Sequence, residues 1–394
     1  MLAWRTVTCH ARTGGPILIL IRIHPLLLLC FLLLLARSPA SAAAAPGGQV
    51  DPGKAAGGDL YRAACAACHG LDGRGAAPSL LGFDTPLPDF TDCSFSSVES
   101  DADWLAVTHD GGPARAFDRR MPAFGDALND ADLLLILGHV RQFCGSRAWP
   151  RGELNMPRAL VTEKAFPENE AVLTTSIGGS GGGHLGNELL YEHRLGARSQ
   201  FEVVVPLVVQ EGDAGRWSRG LGDVAVALKH ALVHSLDRGS ILSVAAEMVL
   251  PTGKEDAGLG GGVTVVEPFV AFGQLLPADG FVQAQAGVEL PLDTAVAARE
   301  AFWRAAIGKS FTQDRFGRSW SPIVELLAAR DLDDGAAVQW DVLPQMQVTL
   351  SRRQHIMINA GVRMPLNQRA GRRAQVVTYF LWDWFDGGLL DGWR

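Results

Sequence analysis

The sequence predicts two domains of different class: a small all-α domain over residues 50–146, then an antiparallel transmembrane β-barrel of about 10–12 strands over residues 171–394. Ahead of residue 145, apolar residues recur with helical spacing, as in Leu133, Leu134, Ile136, Leu137 and Val140. Beyond residue 171 they alternate, in runs broken by glycine-rich turns. A chain of 394 residues is long enough for both units. A content of 47% hydrophobic and 20% charged residues excludes a disordered chain. The formal charge of −7 and the lack of a basic stripe with interleaved aromatics argue against nucleic-acid binding.

The first element is an export signal over residues 1–42. Arg5, Arg12 and Arg22 form a basic stretch, residues 26–35 a short apolar run, and Ala40-Ser41-Ala42 a small-residue cleavage site. The run is too short to cross a bilayer core of ~30 Å as a helix, and Arg22, His24 and Pro25 prevent its extension. Export sets the redox context. Cys9 and Cys30 leave with the signal, while Cys65, Cys68, Cys93 and Cys144 enter an oxidising compartment, to be bridged, liganded or otherwise protected.

Cys65-Ala66-Ala67-Cys68-His69 has the C-x-x-C-H spacing of c-type haem attachment. Each thiol adds to one vinyl group, and the next residue sets an imidazole beneath the iron. A thioredoxin-like pair needs a βαβ setting that is not present, and half a zinc site needs a second C-x-x-C that the chain lacks. Gly58-Asp59-Leu60-Tyr61 is expected to start the helix carrying the motif, with Gly70, Gly73 and Gly75 turning the chain after it.

On these residues the stretch 58–80 resembles the small single-haem bacterial cytochromes c. The resemblance implies one covalent haem c, a Pro78 carbonyl that accepts a hydrogen bond from the His69 ring, and a methionine as sixth ligand shortly before a final helix. Met121-Pro122, 52 residues beyond His69, has that placement, between Asp110-Gly111-Gly112 and a helix that Asp130 can cap. Met156 lies beyond the helix, and His109 would give bis-histidine iron. A His69/Met121 pair raises the potential and leaves no open position, which favours electron transfer over oxygen chemistry. Cys93, in the loop between haem motif and methionine, and Cys144, at the end of the last helix, are expected to form a disulfide.

Residues 147–170 carry prolines and charges of both signs and read as a linker, though Trp149, Leu154 and Phe166 suit packing on a neighbour. The strands follow. In residues 281–292, Val282, Ala284, Ala286, Val288 and Leu290 share one face, and Gln283, Gln285, Gly287 and Glu289 the other. Residues 355–366 repeat the pattern, and the last strand falls near 374–384. A soluble sandwich also alternates, but runs this long with aliphatic faces fit a membrane barrel, whose closure removes unpaired edges in hydrocarbon. Phe201, Trp217, Phe269, Phe272, Phe281, Trp303, Trp320, Trp340, Trp382 and Trp384 are expected to form interfacial girdles. Glu188 and Glu192 read as lumen-lining charges, and the glycine-rich run 178–184 lacks the lysine of a phosphate loop.

The motifs at 220–232 and 248–256 resemble a group of bacterial outer-membrane barrels labelled as transporters or as products of phenol-degradation operons. The order of the two units is similar to cytochrome–porin fusions of iron-oxidising bacteria. Together these imply an outer-membrane electron-transfer protein with a periplasmic redox partner and a haem domain in the periplasm or the lumen. The alternative is a channel for small apolar or aromatic solutes with an accessory haem domain. No side-chain constellation points to hydrolysis.

Overall fold

The computed structural model describes residues 52–83, 87–178, 184–211, 216–384 and 390. The stretch 1–42 expected to be an export signal, with Cys9 and Cys30, lies outside them, as does most of the glycine-rich run 178–184. No helix among the described residues is long and apolar enough to cross a membrane.

The N-terminal unit is helical: α1 (Pro52–Ala64), α2 (Ala66–His69), α3 (Pro78–Leu81), α4 (Cys93–Ser96), α5 (Asp101–Asp110) and α6 (Asp130–Val140). α1 starts at Pro52, six residues ahead of the expected Gly58. The glycines serve another purpose. A Cβ on Gly57 would stand 2.3 Å from the Leu135 carbonyl oxygen, so α1 crosses α6 with its backbone almost in contact. Asn129, rather than Asp130, caps α6, accepting from the Asp132 amide at 3.1 Å. Leu133, Ile136, Leu137 and Val140 are buried, whereas Leu134 points outward.

The C-terminal unit is a closed antiparallel barrel. Its strands are β1 (Glu170–Gly178), β2 (His184–Leu195), β3 (Ser199–Glu211), β4 (Trp217–Leu221), β5 (Ala225–Ser235), β6 (Ser240–Val249), β7 (Val265–Leu276), β8 (Gly280–Pro291), β9 (Glu300–Lys309), β10 (Phe311–Thr312), β11 (Ser319–Asp331), β12 (Gln339–Thr349), β13 (Ile356–Pro365) and β14 (Gln375–Asp383). β4 extends β5 along β3, and β10 extends β9 along β11, so the ring has twelve positions. It closes through β1 and β14, from Glu170↔Asp383 to Gly178↔Gln375.

The alternation is inverted relative to a soluble protein. Gln283, Gln285, Glu192, Glu325 and Asn359 face inward and are buried, while Leu189, Leu228, Val270, Ile307, Val324 and Val376 face outward and are exposed. Water would make such an exterior costly, and a hydrocarbon belt makes it favourable. Trp303 and Trp340 meet edge-on toward one rim, and Tyr191, Phe201, Trp382 and Trp384 cluster at the other. Two expected girdle residues are not in these belts: Phe269 and Phe281 fall on inward positions of β7 and β8 and pack within the lumen.

Residues 152–169 run through the barrel instead of spanning the gap between domains. Leu154, Ala165 and Phe166 pack on Ala231, Ile241, Phe269 and Phe302. Met156 and Ala159 pack on Phe281, Ala306 and Ile323. Strand side chains satisfy the segment's backbone: the Glu325 carboxylate accepts from the amides of Val161 and Thr162 at 3.1 and 2.6 Å, and Gln283 donates to the Pro157 carbonyl at 2.8 Å. Its charges are paired as well. Arg158, 1% exposed, meets Glu163, Glu170 and Glu192. Lys229 meets Glu163 at 2.6 Å and Glu202 at 3.5 Å, and Lys164 meets Glu168. The oxygens of Glu163, Glu192 and Glu202 converge within 4.8 Å of one another, but Lys229 already supplies the cation that such a cluster needs. The lumen is plugged by the chain itself.

Candidate functional site

The site is an apolar cavity of about 300 Å³ between α1, α2, α5, α6 and the loop that carries Met121. α2 brings Cys65, Cys68 and His69 to its wall. Gly70, Gly73 and Gly75 take φ of 74°, 77° and 84° to turn the chain away, and the Tyr61 hydroxyl fixes the turn by donating to the Gly70 carbonyl at 2.8 Å. Phe90 enters from the loop, Phe95 from α4 and Trp104 from α5, and Ile136, Leu137 and Val140 from α6. Phe90 stacks on the His69 ring with centroids 4.9 Å apart.

Met121 stands in the same wall. Its loop is held by a hydrogen bond from the Gly112 amide to the Met121 carbonyl at 3.0 Å, and Gly112 lies so close to the Asp118 carbonyl that a Cβ would be 2.2 Å from it. The Asp110-Gly111-Gly112 turn therefore sets the methionine's position. His109 does not line the cavity. Its Nδ1 contacts Asp110, its ring lies against Gly125 and Phe316, and it belongs to the rim facing the barrel. Met156 is in the lumen.

Burial tunes the donors. It lowers the His69 pKa, so the imidazole stays neutral and its lone pair remains free to bind a metal. The His69 Nδ1 atom is buried with no hydrogen-bond partner, so the bond implied for the Pro78 carbonyl is not formed; Pro78 opens α3. Burial and the neighbouring Cys68 push the Cys65 thiol up to about 11. Cys65 and Cys68 are unbridged, whereas Cys93 and Cys144 are joined. That bond closes a loop spanning 51 positions that contains α5 and Met121, a constraint worth about 4 kcal/mol on loop-entropy grounds. An apolar cavity of this size with two thiols, a neutral imidazole and a thioether on its wall fits a haem group.

The barrel borders the cavity too. Arg353 and His355, from the turn between β12 and β13, complete its wall. Nothing in the local sequence around them marked this role. Arg115 ties the same rim to the barrel, bonding Asp103 Oδ1 at 2.9 Å and the Phe316 carbonyl at 2.7 Å, and Arg315 pairs with Asp130. The haem domain therefore rests on the barrel end that carries the turns 196–198, 236–239, 277–279, 313–318 and 350–355, where β1 begins and β14 ends. The opposite end carries longer connections, such as 250–264 and 366–374.

Residues 52–140 match the family model described as cytochrome c oxidase, cbb3-type, subunit III. No curated protein matches the chain in sequence. Among solved structures, an outer membrane channel from Pseudomonas putida F1 is 15% identical with a TM-score of 0.43, covering 58% of this chain and 100% of its own. The NanC porin is 9% identical with a TM-score of 0.39, covering 54% and 98%. The β domain of the Bordetella autotransporter BrkA is 12% identical with a TM-score of 0.38, covering 55% and 100%. The N-terminal region is thus a c-type cytochrome domain, and it is fused to a twelve-stranded barrel whose outer face is built for a membrane.

Proposed function

We propose that this chain is an electron carrier of the outer membrane. It holds one haem c covalently through Cys65 and Cys68, with His69 and Met121 as axial ligands, and exchanges single electrons with soluble carriers on the periplasmic side. The observation that carries this reading is the shared cavity: His69 and Met121 wall it beside two unbridged thiols, and His109 faces elsewhere.

The bound haem supplies a reversible one-electron iron couple. The chain's own residues do the rest. With haem bound, the Cys65 and Cys68 thiols would anchor it, Phe90 would orient the His69 ring, and the Met121 thioether would favour reduced iron and keep oxygen from it. One soluble carrier gives up an electron and a second accepts it, so no substrate is converted.

The periplasmic placement rests on loop lengths. Outer-membrane barrels keep short turns on the periplasmic side and long loops outside, and the haem domain sits at the short-turn end. About 25 Å of apolar belt then separates it from the exterior. Leu154, Leu160, Ala165 and Phe166 pack across the lumen, and the sequence holds a single C-x-x-C-H. These features favour exchange within the periplasm over conduction to the outside. They also mean that a solute channel would require the 152–169 segment to leave.

Haem staining of outer-membrane fractions after denaturing electrophoresis tests the attachment and the location together. A stained band at the mature mass is expected in the wild type, with loss in Cys65→Ala/Cys68→Ala. A stained protein found only in the soluble periplasm, or a band that survives the double substitution, contradicts the reading.

A further inference from the structure

The barrel supplies its own cation to the haem cavity. Arg353, in the turn between β12 and β13, is 8% exposed, lines the cavity and lies over the Phe117 ring at 4.1 Å. The turn is clamped to both units: His355 Nε2 meets Glu99 of the haem domain at 3.1 Å, and its Nδ1 meets Asp383 at the end of β14. Two further arginines, Arg115 and Arg120, line the cavity from the haem domain itself. Arg353 comes from the other domain.

Haem carries two carboxylates on one edge. Burying either is costly without a cationic donor, and the planar guanidinium fork is the side chain best matched to a carboxylate. We propose that Arg353 binds a haem carboxylate, so that the barrel turn completes the haem site and sets the iron's potential. The proposal rests on the haem reading above and extends it, because the cofactor site then belongs to both domains. A fixed positive charge near the iron opposes the additional positive charge of the oxidised state. Docking on the barrel therefore biases the haem toward its reduced form.

Spectroelectrochemical titration of the full-length protein in detergent separates the possibilities. Arg353→Gln is expected to shift the reduced-to-oxidised ratio at fixed potential about tenfold toward oxidised, ~59 mV for a one-electron couple. Arg353→Lys keeps the charge but loses the fork, so it should shift less in the same direction, and it serves as the test if the glutamine variant does not assemble. Arg315→Gln, which loosens another contact of the same interface away from the cavity, should leave the potential in place. An unchanged potential in both Arg353 variants with the low-spin spectrum intact overturns the proposal. An equal shift in Arg315→Gln overturns it as well, because docking alone would then account for the effect. A wild type without a c-type haem spectrum instead removes the haem reading on which the proposal stands.

Discussion

Met121→Ala is expected to abolish the methionine-to-iron charge-transfer band of the oxidised protein and to open the sixth position to exogenous ligands such as carbon monoxide. Loss of the thioether should also move the equilibrium toward oxidised iron by on the order of 100-fold, ~120 mV for one electron, since axial ligation is the strongest control on haem potential. His109→Ala is the matched control. Its ring contacts Asp110, Gly125 and Phe316 and does not line the cavity, so the band should persist. Loss of the band in His109→Ala with retention in Met121→Ala would reassign the ligand. The outcome is sharp because Met121 is held in the cavity wall by its own loop, through the Gly112 amide, and not by the haem alone.

The second large effect concerns the plug. Arg158 compensates three buried carboxylates, so Arg158→Ala leaves Glu163, Glu170 and Glu192 short of a cation at a cost of about 3–5 kcal/mol. The strand ladder does not depend on that arginine, because β1 and β14 close the ring through their backbones. The segment 152–169 should therefore loosen while the barrel persists. In planar bilayers the wild type should be non-conducting and Arg158→Ala should show discrete openings. A wild type that conducts freely, or a variant as closed and as heat-resistant as the wild type, contradicts a lumen held shut by this ion network.

The positions that were legible in the sequence are those whose neighbours along the chain carry the signal. Cys65, Cys68 and His69 lie within one helical turn, so their spacing alone brings them together. Strand alternation is local too, which is why Gln283 and Gln285 could be assigned to the face opposite Val282 and Ala284. The plug was not legible. Its charges resemble those of a solvated linker until partners far away in sequence are known: Lys229 for Glu163, Glu325 for Thr162, Tyr379 for the Arg158 carbonyl. Trp149, Leu154 and Phe166 were the available hint, since a solvated spacer has no use for large apolar side chains. The helix does not start at Gly58, and its neighbour Gly57 marks a helix crossing, a close backbone approach that depends on the second helix, 78 residues away at Leu135. Phe269 and Phe281 were misplaced for a related reason. Aromatic type suggests a girdle, but strand parity decides the face, and theirs is inward. Arg353 and His355 carry no motif at all, and only docking of the two domains brings them to the cavity.

The most direct test of a periplasm-facing electron carrier uses a reduced haem protein and an oxidised soluble c-type cytochrome too large to pass outer-membrane pores. Oxidation of the bound haem is followed after mixing with intact cells and with cells whose outer membrane has been permeabilised. Electron exchange at the short-turn end predicts no reaction in intact cells and rapid one-electron oxidation once the acceptor enters the periplasm. Equal oxidation rates in intact and permeabilised cells would mean that electrons cross the barrel, and would contradict a haem confined to the periplasmic face.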